Sequence, residues 1–480
     1  MKRFFAVLGG VAFITSLLNL FTNSVFAVVF LLTAIVVFII KDIDKEQKLL
    51  AIALILVLIF GVINSSYQIL TAKEVVGQQQ IRAKVIDISE SKGYNRVTVK
   101  TRVGFTILKA ELFDFSKENY TKGDTITAIA ELETPQEDEA LRLYPKGVHL
   151  CGKATLITEI QKGKGIYKLG YHLTEYIEGL VRKQMDNNSA SPLIAILTGE
   201  QEYFDSPTKE AIKASGVSHI MVVSGLHLGI ICGAVVGLLK KIKADSKTVF
   251  FGGTVSIFLI LLICSFHISA IRAAITYLLI LIGLLIRRQA DALNSLGFSV
   301  FVIVTAGPFI AGNISFLLSV SATFGVIVIA PKLKNICTPA HSFIKSSLLT
   351  DGILNGIYVS ISALICTLPV LVLNFGQISV ASIFVNLLIT YAVSIALILT
   401  VIGVIIGFIP AVAAAIFQAA GLIGRYVMWV ISAFGGNEQF VFYFEGIGAI
   451  IIAIIDVLLI AGIIYIDIKK QERRIRNADK

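Results

Sequence analysis

Charge is what this sequence has least of. Asp, Glu, Lys and Arg together supply 15% of the residues, against 56% that are hydrophobic; soluble domains average about 25% charged and about 45–50% apolar. A chain this poor in charge cannot cover itself with an aqueous surface, which excludes an ordinary water-soluble enzyme and a disordered polyelectrolyte. Cysteine is nearly as scarce. Cys151, Cys232, Cys264, Cys337 and Cys366 lie far apart with no C-x-x-C or mixed Cys/His spacing, so neither a disulfide framework nor a structural zinc site is expected. The 6 histidines form no H-x-H-x-D-H cluster, and no G-x-x-x-x-G-K-[ST] stretch occurs, so no metal, cofactor or P-loop is expected. With a mean hydropathy of +0.83, what remains is a polytopic α-helical membrane protein.

Apolar runs long enough to cross a bilayer as helices fall at 4–20, 25–40, 49–64, 220–239, 248–266, 273–286, 295–312, 314–330, 353–373, 378–407, 411–432 and 446–466, which amounts to about 11–12 spans. The first run has Lys2 and Arg3 before it, but the second follows at once, so an uncleaved helical hairpin is expected rather than a signal peptide. Arg272 and Arg287 read as snorkelling ends of the run at 273–286. The run at 378–407 is long enough to hold a break. If each run crosses once, nearly all Lys and Arg of the short loops fall on one side, which the positive-inside rule makes cytoplasmic. Both termini then lie on the cytoplasmic side of the cytoplasmic (inner) membrane, and the basic tail 469–480 is cytoplasmic. The net charge of +10 follows from that topology and does not by itself indicate nucleic-acid binding.

The same assignment puts the hydrophilic stretch between the N-terminal helices (1–66) and the main helical domain (220–468) outside the membrane. Gln80–Ser89, Tyr94–Arg102, Gly104–Leu112, Asp124–Leu132 and Lys153–Ile160 alternate polar and apolar residues between turns, as half-buried strands do. Five short strands within 67–165 suit a small extracytoplasmic β-barrel of OB-like type. Such barrels often bind single-stranded nucleic acid. From Glu74 to Lys164, however, 14 Lys and Arg oppose 13 Asp and Glu, and aromatics on the strands are few, so a structural or docking role is favoured. Beyond it, within 166–219, Ile166, Leu169, Leu173, Ile177 and Leu180 recur at helical spacing among Tyr167, Tyr171 and Tyr176, the pattern of an interfacial amphipathic helix.

The stretch richest in chemistry begins at Leu197-Thr198-Gly199-Glu200 and continues through Gly216-Val217-Ser218-His219 to Ser224-Gly225-Leu226-His227. Gly225, Gly229, Gly233 and Gly237 repeat every fourth residue and would form one helix stripe for close packing. Ser224 and His227 lie within roughly 60° of each other on the other side, where they could face a cavity. They read equally as residues that hydrogen-bond neighbouring helices. An intramembrane hydrolase with Ser224 as nucleophile and His219 or His227 as base is a further reading, weakened by the lack of a carboxylate to orient the base. Arg425 and Asp456, on the last two runs, are placed to form an intramembrane ion pair.

These motifs, with Ser269 through Ala274, Arg287 through Asn294, Phe316 through Ser319, and Leu368-Pro369 through Phe375-Gly376 to Asn386 in the same order, resemble the signature of the ComEC family of competence proteins. The resemblance includes the external insert and so spans most of the chain. It implies an inner-membrane channel that passes single-stranded DNA into the cytoplasm during natural transformation, with an external DNA receptor delivering the strand and a cytoplasmic ATPase pulling it. On this resemblance Gly199, Glu200, His219, Ser224, Gly225, His227, Arg272, Arg288 and Asn386 belong to the DNA pathway, and Arg272, Arg288, His219 and His227 are expected to line a wet pore, in an oligomer or a single chain. Many family members continue into a metallo-β-lactamase-like domain; without its histidine cluster here, nuclease activity is not carried over. Glu137–Tyr144 replaces the family's glycine- and aspartate-rich approach to the last strand. A transporter of another anionic substrate, a small molecule or an envelope polymer, is the alternative reading on the same scaffold.

Overall fold

Period-two alternation in one part of the chain and long unbroken apolar runs in another require two different ways of satisfying the backbone, and the fold separates them accordingly. The computed structural model describes residues 4–22, 52, 59, 63, 66–91, 93–116, 118–200, 202–221, 223–341, 348–436 and 438–478. The span expected at 25–40 and, apart from three isolated residues, that at 49–64 lie outside them. Two compact units result, Met1–Glu175 with Gly297–Phe316, and Tyr176–Leu296 with Leu317–Lys480.

In the first unit, helix α1 (Phe4–Thr22) meets the stretch from 297 onward at a pair of glycines. A Cβ on Gly9 would lie 2.2 Å from the Gly297 carbonyl oxygen, so the two backbones touch as only small residues permit. Strands β1 (Gly77–Ser91), β2 (Tyr94–Val103), β3 (Thr106–Asp114), β4 (Thr125–Glu133) and β5 (Leu150–Gln161) form a closed barrel in the order β1-β2-β3-β5-β4. Each strand expected from alternation is present within a few residues of its predicted ends. Val97 and Val99 on β2, Leu108, Ala110 and Leu112 on β3, and Ile126, Ala130 and Leu132 on β4 fill the interior, so every second residue points inward. The pairing of β3 with β5 is parallel and the other pairings are antiparallel. Gly152 is required where those strands crowd: a Cβ there would sit 2.0 Å from the Glu131 carbonyl oxygen. A short helix, α2 (Glu137–Leu143), precedes β5. Helix α3 (Ile166–Gln184) follows the barrel, and its Lys168 is held by Asp124 at 2.9 Å.

In the second unit, Ile177 and Val181 of α3 are buried in the helical core, which includes parts of α4 (Asn187–Thr198), α5 (Ser206–Ala214) and α6 (Gly225–Lys241). Helices α7 (Ser246–Ile263) and α8 (Ile268–Leu285) follow. Three consecutive helices, α6 to α8, each end in a left-handed residue other than glycine, at Lys243, Ser265 and Arg287. At each the chain is closed by a six-residue main-chain bond, from Ala244 to Leu239, Phe266 to Leu261 and Arg288 to Gly283. These are Schellman turns that satisfy the last carbonyls of an apolar helix. Beyond α9 (Ala292–Ala306) and α10 (Ile314–Phe324), a π-helical turn at Gly325–Ile329 leads into α11 (Ala330–His341). The last helices are α12 (Leu348–Phe375), α13 (Ala381–Ile405), α14 (Pro410–Gly435) and α15 (Ile447–Ala478).

Among the described residues, 7 helices are long and apolar enough to cross a membrane, and the molecule is a multi-pass membrane protein. Ile450, Ile451, Ile454, Ile455 and Leu458 on α15 are all half-exposed or more, a surface suited to lipid. Three expected spans differ. The run at 220–239 becomes a 17-residue helix starting at Gly225, because residues 216–221 are spent on turns. The run at 295–312 is helical over only 15 residues. The run at 378–407 contains no break: residues 377–379 form a short strand, paired with 441–443, and α13 is continuous for 25 residues.

Candidate functional site

Several of the motif residues lie at or beside the first turn of α6. Gly199 ends α4 at φ +87°, a left-handed cap that favours glycine, and a Cβ there would be 3.4 Å from Val223. Gly216, at φ +74°, lies against α13: a Cβ would stand 2.6 Å from the Cβ of Ser382 and 3.0 Å from that of Ser379. Ser269, in the first turn of α8, donates its hydroxyl to the Val223 carbonyl at 3.2 Å. Ser224 caps α6, and its main-chain N–H donates to His227 Nδ1 at 3.3 Å. The imidazole thus meets Ser224 through the backbone, an arrangement that closes the helix end and does not prepare a nucleophile.

The glycine stripe is half used. A Cβ on Gly225 would be 3.1 Å from Ala273 Cβ and 3.2 Å from Arg272 Nη2, and one on Gly229 would collide with Tyr277; Gly233 and Gly237 have nothing within 4 Å among the described residues. The close packing expected along all four positions therefore covers only the first two, because α8 approaches α6 near its N-terminal end.

Arg272 and His227 do not line an open wet path. They are 5% and 1% exposed. Arg272 is not a snorkelling end either, since α8 begins at Ile268 and the side chain turns inward, its Nε donating to Ser319 Oγ at 2.8 Å. Two motif segments 47 residues apart are joined by that bond. Arg288, by contrast, is exposed beyond the far end of α8, about 24 Å from Arg272 at 1.5 Å rise per residue. His219 is exposed and Ser224 half-buried. Glu200 follows the Gly199 cap, its N–H donating to Thr198 Oγ1 at 3.1 Å.

Four polar atoms here are buried without a hydrogen-bond partner among the described residues: His227 Nε2, Ser379 Oγ, Ser382 Oγ and Asn386 Oδ1. Ser382 and Asn386 are one helical turn apart on α13 and so share a face. Each such atom costs about 1–3 kcal/mol if nothing polar meets it, so four on neighbouring elements mark a place built for polar contact. Ser379 and Ser382 were not singled out from the sequence, and Ser319 entered only as the last residue of the Phe316–Ser319 match. Isolated serines in apolar helices carry no spacing signal, and only the fold brings them to the motif.

The expected Arg425–Asp456 pair is not made. Arg425 reaches Asp186 at 3.6 Å and Ser189 Oγ at 3.2 Å, because α14 packs on α4, α5 and α13, whereas α15 packs on α11 and α12. Asp456 is 5% exposed, and its Oδ2 has no partner among the described residues. Among those residues, no group of three His, Cys, Asp or Glu is arranged to hold a metal.

A family model described as "Competence protein" covers residues 196–469, the part of the chain that holds every motif converging on α6. The chain is also similar to ComE operon protein 3 of Bacillus subtilis (strain 168), with 22% identity over 246 residues, 51% of this chain and 30% of that relative. The matched region is thus less than a third of the relative's length. No solved structure matches the chain. With more than half of its residues matched by that model, the chain belongs to the competence-protein family.

Proposed function

We propose that this protein is the membrane conduit for one strand of DNA entering the cytoplasm. Supporting this reading are two groups of polar residues drawn from separate helices, Ser224–His227 with Arg272 and Ser319 at the first turn of α6, and Ser379, Ser382 and Asn386 at the start of α13 where Gly216 packs, inside the region that carries the competence family match. Packing alone would be served better by apolar side chains, which leave no polar atom unmet.

His227 and Arg272 are enclosed, so the conduit is closed in this conformation and transport requires α6, α8 and α13 to part. A strand moving into an inside-negative cell works against about 2.3 kcal/mol per charge per 100 mV. That work falls to a partner, on this reading a cytoplasmic ATPase, while an external receptor hands over the strand near the barrel. The barrel lies on the outer side and both termini on the inner.

The test is delivery of labelled DNA to the cytosol. A strain carrying His227→Ala at normal protein level should lose uptake as completely as a deletion strain. Undiminished uptake in the deletion strain would refute the conduit.

A further inference from the structure

Resting on the conduit reading, we propose that Arg272 and the first turn of α6 form a discrete binding niche for one phosphodiester monoanion. Arg272 is 5% exposed, and no carboxylate pairs with it among the described residues. A buried cation left without an anion is strongly disfavoured. Its Nη2 lies 3.2 Å from where a Gly225 Cβ would be, so it is aimed at the end of α6. There the first main-chain N–H groups lack intrahelical acceptors and the helix dipole is positive. Two positive ends facing each other would repel, unless an anion lies between them.

His227 supplies a second, independent sign. Its Nδ1 accepts the Ser224 N–H, which puts the proton of a neutral imidazole on Nε2. That N–H is buried with no partner, in a residue 1% exposed. A guanidinium and a helix N-terminus, both donors, face each other, and the imidazole N–H of the same first turn also lacks an acceptor among the described residues. Ser319 occupies the Nε of Arg272, which leaves the Nη groups to grip two oxygens of one ligand side by side. A phosphodiester presents just that, two non-bridging oxygens sharing one charge. Gly225 keeps the approach clear, since a methyl group there would press on Arg272. The conduit then hands phosphates past one point in turn and is not a wide basic pore.

The shared ligand chemistry has two sources, the strand and a phospholipid headgroup, and the experiment separates them. Full-length protein in a phosphate-free detergent solution is titrated with inorganic phosphate while its thermal midpoint is followed, because a ligand that binds only the folded form raises it. The wild type and Lys247→Gln should show the same saturable rise. Arg272→Gln should lose it, and Arg272→Lys should bind at least fivefold more weakly. Wild-type affinity in both Arg272 variants would overturn the niche; if Arg272→Gln does not fold, equal affinity in Arg272→Lys does so alone. Competition by oligothymidylate but not by its uncharged methylphosphonate counterpart would support the niche with the strand as source. Competition by phosphatidylglycerol alone would support it with the headgroup as source. Phosphate binding lost while DNA uptake persists in Arg272→Gln cells would keep the niche and remove it from the DNA path. Binding unchanged while uptake is lost would do the reverse.

Discussion

The ring of Tyr277 fills the space that a side chain at position 229 would need, its hydroxyl 1.8 Å and its Cζ 2.6 Å from the ideal Cβ position of Gly229. Helices α6 and α8 can therefore approach only while residue 229 is glycine. Gly229→Ala should cost about 1–3 kcal/mol, the usual range for overpacking. Tyr277→Phe should not relieve it, because ring carbons remain in the way, whereas Tyr277→Ala should recover part of the loss. Gly233→Ala and Gly237→Ala, which meet open space, should be neutral or stabilise by up to about 1 kcal/mol through helix propensity. Thermal midpoints of the five variants in detergent separate these outcomes.

The barrel should weaken with acid in two stages. Burial, helped by the nearby Lys109 charge, pushes His149 down to about 4 from 6.5. The unfolded chain therefore takes up a proton between about pH 6.5 and about pH 4 that the fold refuses, and stability falls with pH through that window. Burial works against ionisation of Asp124, yet hydrogen bonds from the Gly163 N–H, Lys168 and Thr121 outweigh it and hold the carboxyl at about 2, below its usual 3.8. Its contribution is complete above about pH 4 and is lost as pH falls towards about 2. Each stage is worth about 1–3 kcal/mol. His149→Gln should flatten the upper stage. Asp124→Asn should weaken the barrel at neutral pH and remove the lower stage. Hydrogen exchange of the β1–β5 amides in the full-length protein, corrected for intrinsic rates, reads both; a single slope unchanged by either variant would contradict this account.

How far the sequence reached depends on the range of the signal. The strands were legible because alternation is local: Val97, Val99, Leu108, Ala110 and Leu112 declare their side of the sheet without knowing their partners. The apolar helices were legible for the same reason. What sequence spacing could not carry was pairing between helices. Arg425 and Asp456 stand roughly four residues apart in depth on consecutive helices, within reach of an arginine side chain, and depth alone suggested a bond. The choice of neighbour, α14 with α4 and α15 with α12, is set by small residues such as Gly421 and Gly424, which nest against Met185, Ser189 and Pro192. Likewise, Arg272 stood out as a charge near a helix end, but its inward bond goes to Ser319, which the sequence offered only as the end of a short motif and not as a partner.

Because Arg425 and Asp456 belong to different helix groups, their substitutions should be independent. The effects of Arg425→Ala and Asp456→Ala on thermal stability should add in the double variant to within about 0.5 kcal/mol, as they do for distant sites. Asp456→Asn should be better tolerated than Asp456→Ala, since it keeps the volume of a side chain buried among α12 and α15. A coupling above about 1 kcal/mol between the two positions would restore the direct pair.

Lys332 at the start of α11 bonds Asp467 of α15 at 2.9 Å, and Lys470 donates to the Asn335 carbonyl. The basic ends of these two helices therefore share one level, and Lys334 and Lys469 lie beside them in sequence. On the orientation proposed above, such a concentration faces the cytoplasm, in keeping with the positive-inside rule. Phe105, at the tip of the β2–β3 turn, is 96% exposed and marks the barrel. In a cysteine-free background, Phe105→Cys should react in intact cells with a membrane-impermeant maleimide. Lys334→Cys should react only after the membrane is opened, and labelling of both before that step would overturn the proposed orientation.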